Sequence, residues 1–174
     1  MPYLKPEWMQ PVKMNRIIVH WTAGQNRASD VDKEHYHFIV EGVGTVVRGD
    51  NTIEDNVNTA DGKYAAHTRG TNTGSIGVSM AGMLGAIESP FNPGNFPIKE
   101  SQWARAMDVI AELATFYKIP VTDKTILTHA EVQTNLGIKQ NGKWDFTRIV
   151  FAPDLVGAKP VGDKMRRDVK ARMR

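Results

Sequence analysis

The chain has 174 residues, of which 41% are hydrophobic and 24% charged, enough apolar side chain for one self-supporting core and unlike a disordered, fibrous or membrane-spanning chain. It contains no cysteine, so disulfides, thiolate zinc sites and cysteine nucleophiles are excluded, and any metal must be held by nitrogen and oxygen. The net charge of +3 is concentrated in residues 164–174, which carry six basic side chains against Asp168 and leave the rest of the chain at −2; no broad basic face for nucleic acid is expected.

Taken in chain order, the opening MPYLKPEWMQP has two prolines and no apolar run, so it does not read as a secretory leader, and the protein is expected in the cytoplasm at synthesis. Residues 14–20 (MNRIIVH) are β-branched and stop at the turn-prone TAGQN, which predicts a buried strand presenting His20 at its end. A polar stretch over 25–33 leads to two β-prone runs about Gly42 and Gly44, the pattern of a hairpin. Residues 50–74 read as a long polar loop closing at a strand, SIGVSMAG.

A Gly- and Pro-rich loop over 83–97 precedes the clearest helix, residues 99–118, in which Trp103, Met107, Ile110, Ala111, Ala114 and Tyr117 recur at helical spacing. Residues 125–129 predict another strand ending on a histidine, His129. A last helix is expected from Asp163, with Met165, Val169 and Met173 on one side. This order predicts an α/β fold: a single domain with a central mixed β-sheet flanked by helices. The catalytic part is assigned to residues 1–160, and residues 161–174 to a basic C-terminal helix of the same domain.

With cysteine absent, histidine is the natural metal ligand, and the chain has five: His20, His35, His37, His67 and His129. A histidine taken alone is more often a hydrogen-bonded core or surface residue. His20 and His129 share a placement at the ends of β-rich runs, but no compact signature such as HExxH accompanies them.

The local strings go further than spacing. HWTAG at 20–24, HYHFIVEGVGTVVRG at 35–49, AAHTRGTNTGSIGVSMAG at 65–82, THAEV at 128–132 and KWD at 143–145 follow in the order seen in zinc-dependent N-acetylmuramoyl-L-alanine amidases. The chain therefore resembles the amidases related to peptidoglycan-recognition proteins, phage endolysins among them. That resemblance implies a zinc ion held by His20, His129 and Asp145, with a fourth position left for water, as a catalytic zinc requires. It implies Tyr36 and Lys143 as catalytic groups and His67 as a substrate contact. His37 is expected to be a packed structural residue, and His35 has no role assigned.

Fifteen residues separate His129 from Asp145, a longer spacer than in compact relatives; a hairpin about Asn141 and Gly142 walling the cleft is expected there, with Glu131 as a reserve carboxylate. The implied reaction is cleavage of the amide between N-acetylmuramic acid and L-alanine in peptidoglycan, for phage-driven lysis of a host from whose cytoplasm the enzyme is released. The alternatives are a peptidoglycan-binding module without activity and a cytoplasmic wall-recycling amidase. A monomer that binds no nucleic acid is expected. The C-terminal helix either adheres weakly to the anionic envelope or packs Met165 and Val169 on the domain.

Overall fold

The computed structural model describes residues 2–173. Strand β1 (Arg16–Trp21) is followed by helix α1 (Asp30–His35), the hairpin strands β2 (Phe38–Val40) and β3 (Val46–Arg48), and β4 (Ser75–Met80). Then come α2 (Glu100–Phe116), β5 (Ile126–Thr128), α3 (His129–Leu136) and α4 (Ala158–Lys170). The strands form one five-stranded sheet in the order β3-β2-β4-β1-β5, parallel except for β3, which runs against β2. This is the expected single mixed sheet flanked by helices.

Alternation along the strands separates the two faces. Ile17, Val19 and Trp21 of β1 and Ile76, Val78 and Met80 of β4 join the main core with Trp103, Met107 and Ile110 of α2 and Val161, Met165 and Val169 of α4. On the other face Ile18 packs with Leu127 and Val132 under α3, and this is the face of His20. Here β4 offers only Ser75, Gly77 and Ser79, in register with Arg16, Ile18 and His20 of β1. Large residues on one side and small ones on the other make β4 a core strand and, at the same time, the floor of a cleft.

Most elements match the sequence expectations, with three corrections. The polar stretch before Tyr36 contains α1, opened by a capping box in which Ser29 Oγ accepts from Asp32 N and Asp32 accepts from Ser29 N. His129 does not end a strand; it is the first residue of α3, capped by Thr128, whose N–H donates to Glu131 Oε2 at 2.9 Å. The last helix starts at Ala158, before the expected Asp163, because Gly157 takes the N-cap and Pro160 lies in the first turn, where its missing N–H leaves no bond unmade.

Met165 and Val169 are fully buried, and α4 packs on α2 and β5. Its apolar side is therefore spent within the domain.

Candidate active site

Three segments converge above the small floor of β4. His20 projects from β1, His129 from the first turn of α3, and Asp145 from the loop after it. The long spacer closes through the backbone: Ala130 N donates to Asp145 O at 2.8 Å, so the start of α3 holds the carboxylate's own residue beside His129. Neighbouring aromatics clamp the loop. Trp144 and Phe146 stand edge-on to Trp21 at centroid distances of 4.6 and 4.8 Å, and Phe146 meets Trp103 at 5.5 Å. The KWDF string is thus an anchor of two rings around one acid.

His20, His129 and Asp145 are all buried, and one ligand atom from each lies within 4.8 Å of the others. Asp145 Oδ2 is 3.2 Å from His20 Nδ1 and 3.4 Å from His129 Nδ1. Donors bound tetrahedrally at the usual zinc distances are roughly 3.4 Å apart, and the two edges that meet at Asp145 are of that length. Burial pushes the His20 imidazole down to about 4, so it is a neutral ring with a lone pair to give. Burial alone would raise the Asp145 carboxyl, but the two imidazoles beside it, His129 and His20, outweigh it and hold it at about 2. Two imidazoles and one carboxylate are the donor set that suits zinc.

Tyr36 caps α1 and lies with its ring centroid 5.2 Å from that of His20. Its phenol is raised by burial and by the charges of Asp145 and Asp32, so it keeps its proton and remains a donor. Lys143 is exposed at the mouth of the same cleft, a space of about 530 Å³ lined also by Trp21, His129 and Trp144. Asn141 and Gly142 line it too, but as a turn with positive φ at both residues and no β-hairpin. The groove continues past His129 toward Arg69 and Gln140.

His67 borders the cleft yet is only 7% exposed, and both its nitrogens are engaged inside the protein. Nδ1 lies 3.2 Å from His20 Nε2 and 2.8 Å from Thr68 Oγ1, and Nε2 is 3.4 Å from Ser75 O. Its ring is engaged with His20 more than it opens to the cleft. His37 is structural as expected: Nε2 meets Asn56 Oδ1 at 3.0 Å and Nδ1 accepts from Gly77 N at 2.9 Å. His35, left without a role, sits on the cleft wall bonded to Ala66 O.

Glu131 is not a reserve ligand. Its carboxylate is buried against Arg166, at 2.8 Å and 3.0 Å from the two guanidinium nitrogens, and it caps α3. Two polar neighbours of the histidines were not singled out in the sequence: Thr68, inside the 65–82 string, with Oγ1 3.2 Å from His20 Nε2, and Gln140, outside every string, with Oε1 2.9 Å from His129 Nε2.

Residues 10–146 match the N-acetylmuramoyl-L-alanine amidase family, and the chain belongs to that family. No curated protein matches the chain. Among solved structures it is similar to the Staphylococcus aureus hydrolase AmiA in complex with its ligand, at 12% identity over 92% of this chain and 77% of that one, with a TM-score of 0.56. A mutant of PlyL matches at 18% identity over 92% and 87% of the two chains, with a TM-score of 0.52. The amidase LysCS of Clostridium intestinale matches at 16% identity over 74% and 87%, with a TM-score of 0.45. The AmiA and PlyL likenesses bear on the fold, and the family match makes the protein a peptidoglycan amidase.

Proposed function

We propose that the protein is a zinc enzyme that hydrolyses the amide between N-acetylmuramic acid and L-alanine, with His20, His129 and Asp145 as the metal ligands. The observation that carries this reading is the buried triangle of two imidazoles and one carboxylate, in which Asp145 Oδ2 stands 3.2 and 3.4 Å from the two histidine Nδ1 atoms. Zinc bound there would bring a coordinated water towards a neutral pKa and polarise the scissile carbonyl.

The residues around the triangle have separate tasks. The protonated phenol of Tyr36 donates a hydrogen bond to the carbonyl oxygen as it gains charge, and Lys143 at the cleft mouth adds a cation to the same oxygen. Trp21 and Trp144 give the cleft an apolar wall that excludes water from one side. His67 holds His20 from behind, with only its ring edge left for substrate.

A lytic role on intact wall is part of the proposal, supported by a second open space beside the cleft, which shares His129 and Asn141 with it and is lined also by Arg69 and Gln140. Purified sacculi and soluble muropeptides are the two substrates to compare. We expect release of stem peptides from sacculi, loss of that release with a chelator, and its return with zinc. Binding to sacculi without release would make the protein a recognition module, and a preference for soluble muropeptides would make it a recycling enzyme.

A further inference from the structure

We propose that Gln140 is a positioning residue that decides which nitrogen of His129 faces the metal. Gln140 is 4% exposed and lies in the long spacer between His129 and Asp145. Its amide can point only one way. Nε2 donates to Arg69 O at 2.8 Å and reaches Ile138 O at 3.4 Å, so a flipped amide would set its oxygen against two carbonyl oxygens. The amide oxygen is therefore the atom that faces His129 Nε2 at 2.9 Å, and an oxygen there can only accept. The hydrogen of the neutral imidazole is held on Nε2, and Nδ1 turns a bare lone pair towards Asp145 and His20.

Asp145 competes for that hydrogen. Its Oδ2 is 3.4 Å from His129 Nδ1, and a hydrogen on Nδ1 would occupy the place where a metal needs the lone pair. Gln140 wins on distance, 2.9 Å against 3.4 Å. At His20 the contest is even: Nδ1 lies 3.2 Å from Asp145, and Nε2 lies 3.2 Å from both His67 and Thr68. His129 is thus the ligand whose tautomer the fold settles, and Gln140 settles it. The role rests on the metal reading of the site, since a lone pair at Nδ1 has a use only if a metal takes it.

Long-range proton–nitrogen spectra of the metal-free protein, taken on the alkaline side where the ring is neutral, report which nitrogen carries the hydrogen. Wild type should show it on Nε2. Gln140→Leu should move it to Nδ1 and weaken zinc about ten- to hundredfold in competition with a chromogenic chelator. Gln140→Met, of similar length and without the acceptor oxygen, should move the hydrogen to Nδ1 in the same way.

A wild-type ring protonated on Nδ1, or a Gln140→Leu protein with the hydrogen still on Nε2 and zinc affinity unchanged, would overturn the proposal. Should Gln140→Leu fail to fold, the wild-type and Gln140→Met spectra decide it. Should wild type show the expected tautomer but no zinc binding, the metal reading falls while the assignment of the hydrogen to Nε2 stands.

Discussion

Gly77 and His67 share one space: a Cβ on Gly77 would lie 2.6 Å from two atoms of the His67 ring, closer than van der Waals contact allows. The strand cannot retreat, because Gly77 N donates to His37 Nδ1 at 2.9 Å and Gly77 O accepts from His37 N at 3.0 Å. Gly77→Ala must therefore push His67 off the sheet and away from His20. We expect a loss of about 1–3 kcal/mol in urea unfolding, the usual cost of overpacking. Zinc affinity should fall about tenfold with it, since His20 loses the partner behind it. An alanine variant as stable and as tight for zinc as wild type would contradict this packing.

Tyr36→Phe separates binding from chemistry. The ring stays beside His20, and what is lost is the phenol proton that the proposed mechanism directs at the developing oxyanion. Removing one such donor costs roughly a hundred- to a thousandfold in kcat, with little change in KM or in zinc content. Since burial and the charges of Asp145 and Asp32 raise the phenol, wild-type activity should show no alkaline fall from tyrosine ionisation below its ordinary value near 10. A variant with wild-type kcat would remove Tyr36 from the reaction.

The sheet, the hairpin and α2 were legible because their signals are long or strict: β-branched runs, paired glycines, and apolar residues three and four apart in α2. The short helices were not, since α1 and α3 are polar and their evidence lies in caps. Ser29 with Asp32 and Thr128 with Glu131 carry the serine or threonine and the acid three residues on that open a helix. Reading Thr128–Glu131 as a cap would also have put His129 on a helix and removed Glu131 from the candidate ligands. The resemblance of local strings named the metal triangle. It could not name Gln140, whose role depends on a fold that brings Arg69, Ile138 and His129 around one amide.

His37 makes stability depend on pH without taking part in the reaction. Burial lowers its imidazole from an ordinary value near 6.5 to about 4, with the bond to Asn56 pulling weakly the other way. Above about 6.5 the ring is neutral in both states, and its contribution is complete. Between 6.5 and 4 the unfolded chain takes up the proton while the folded one does not, so stability falls as pH falls, by about 3 kcal/mol over the window. Below about 4 this group adds no further loss. Urea unfolding from pH 7 to pH 4 should show a gentler decline for His37→Gln than for wild type; parallel curves would mean that His37 is not the group responsible.

The Glu131–Arg166 pair ties the C-terminal helix to the start of α3, where His129 sits, and Gly162 makes room for it. A side chain at Gly162 would collide with all three carboxylate atoms of Glu131. The same carboxylate caps α3 through Thr128 N, one residue before His129, and Arg166 also donates to Ile126 O at 3.1 Å. By helix propensity alone, Gly162→Ala should add about 1 kcal/mol. The sign reverses here, because breaking a buried ion pair costs about 3–5 kcal/mol. The net expectation for Gly162→Ala is a loss of about 2–4 kcal/mol. Arg166→Met should lose a similar amount, because it leaves the Glu131 carboxylate buried without its partner. In Glu131→Leu with Arg166→Met no charge is left buried alone, so most of that stability returns, but the cap on α3 does not. That double variant should therefore unfold near the wild-type midpoint while binding zinc more weakly, because the turn that carries His129 has lost its anchor. If it binds zinc as tightly as wild type, α3 needs no cap to hold its histidine in place.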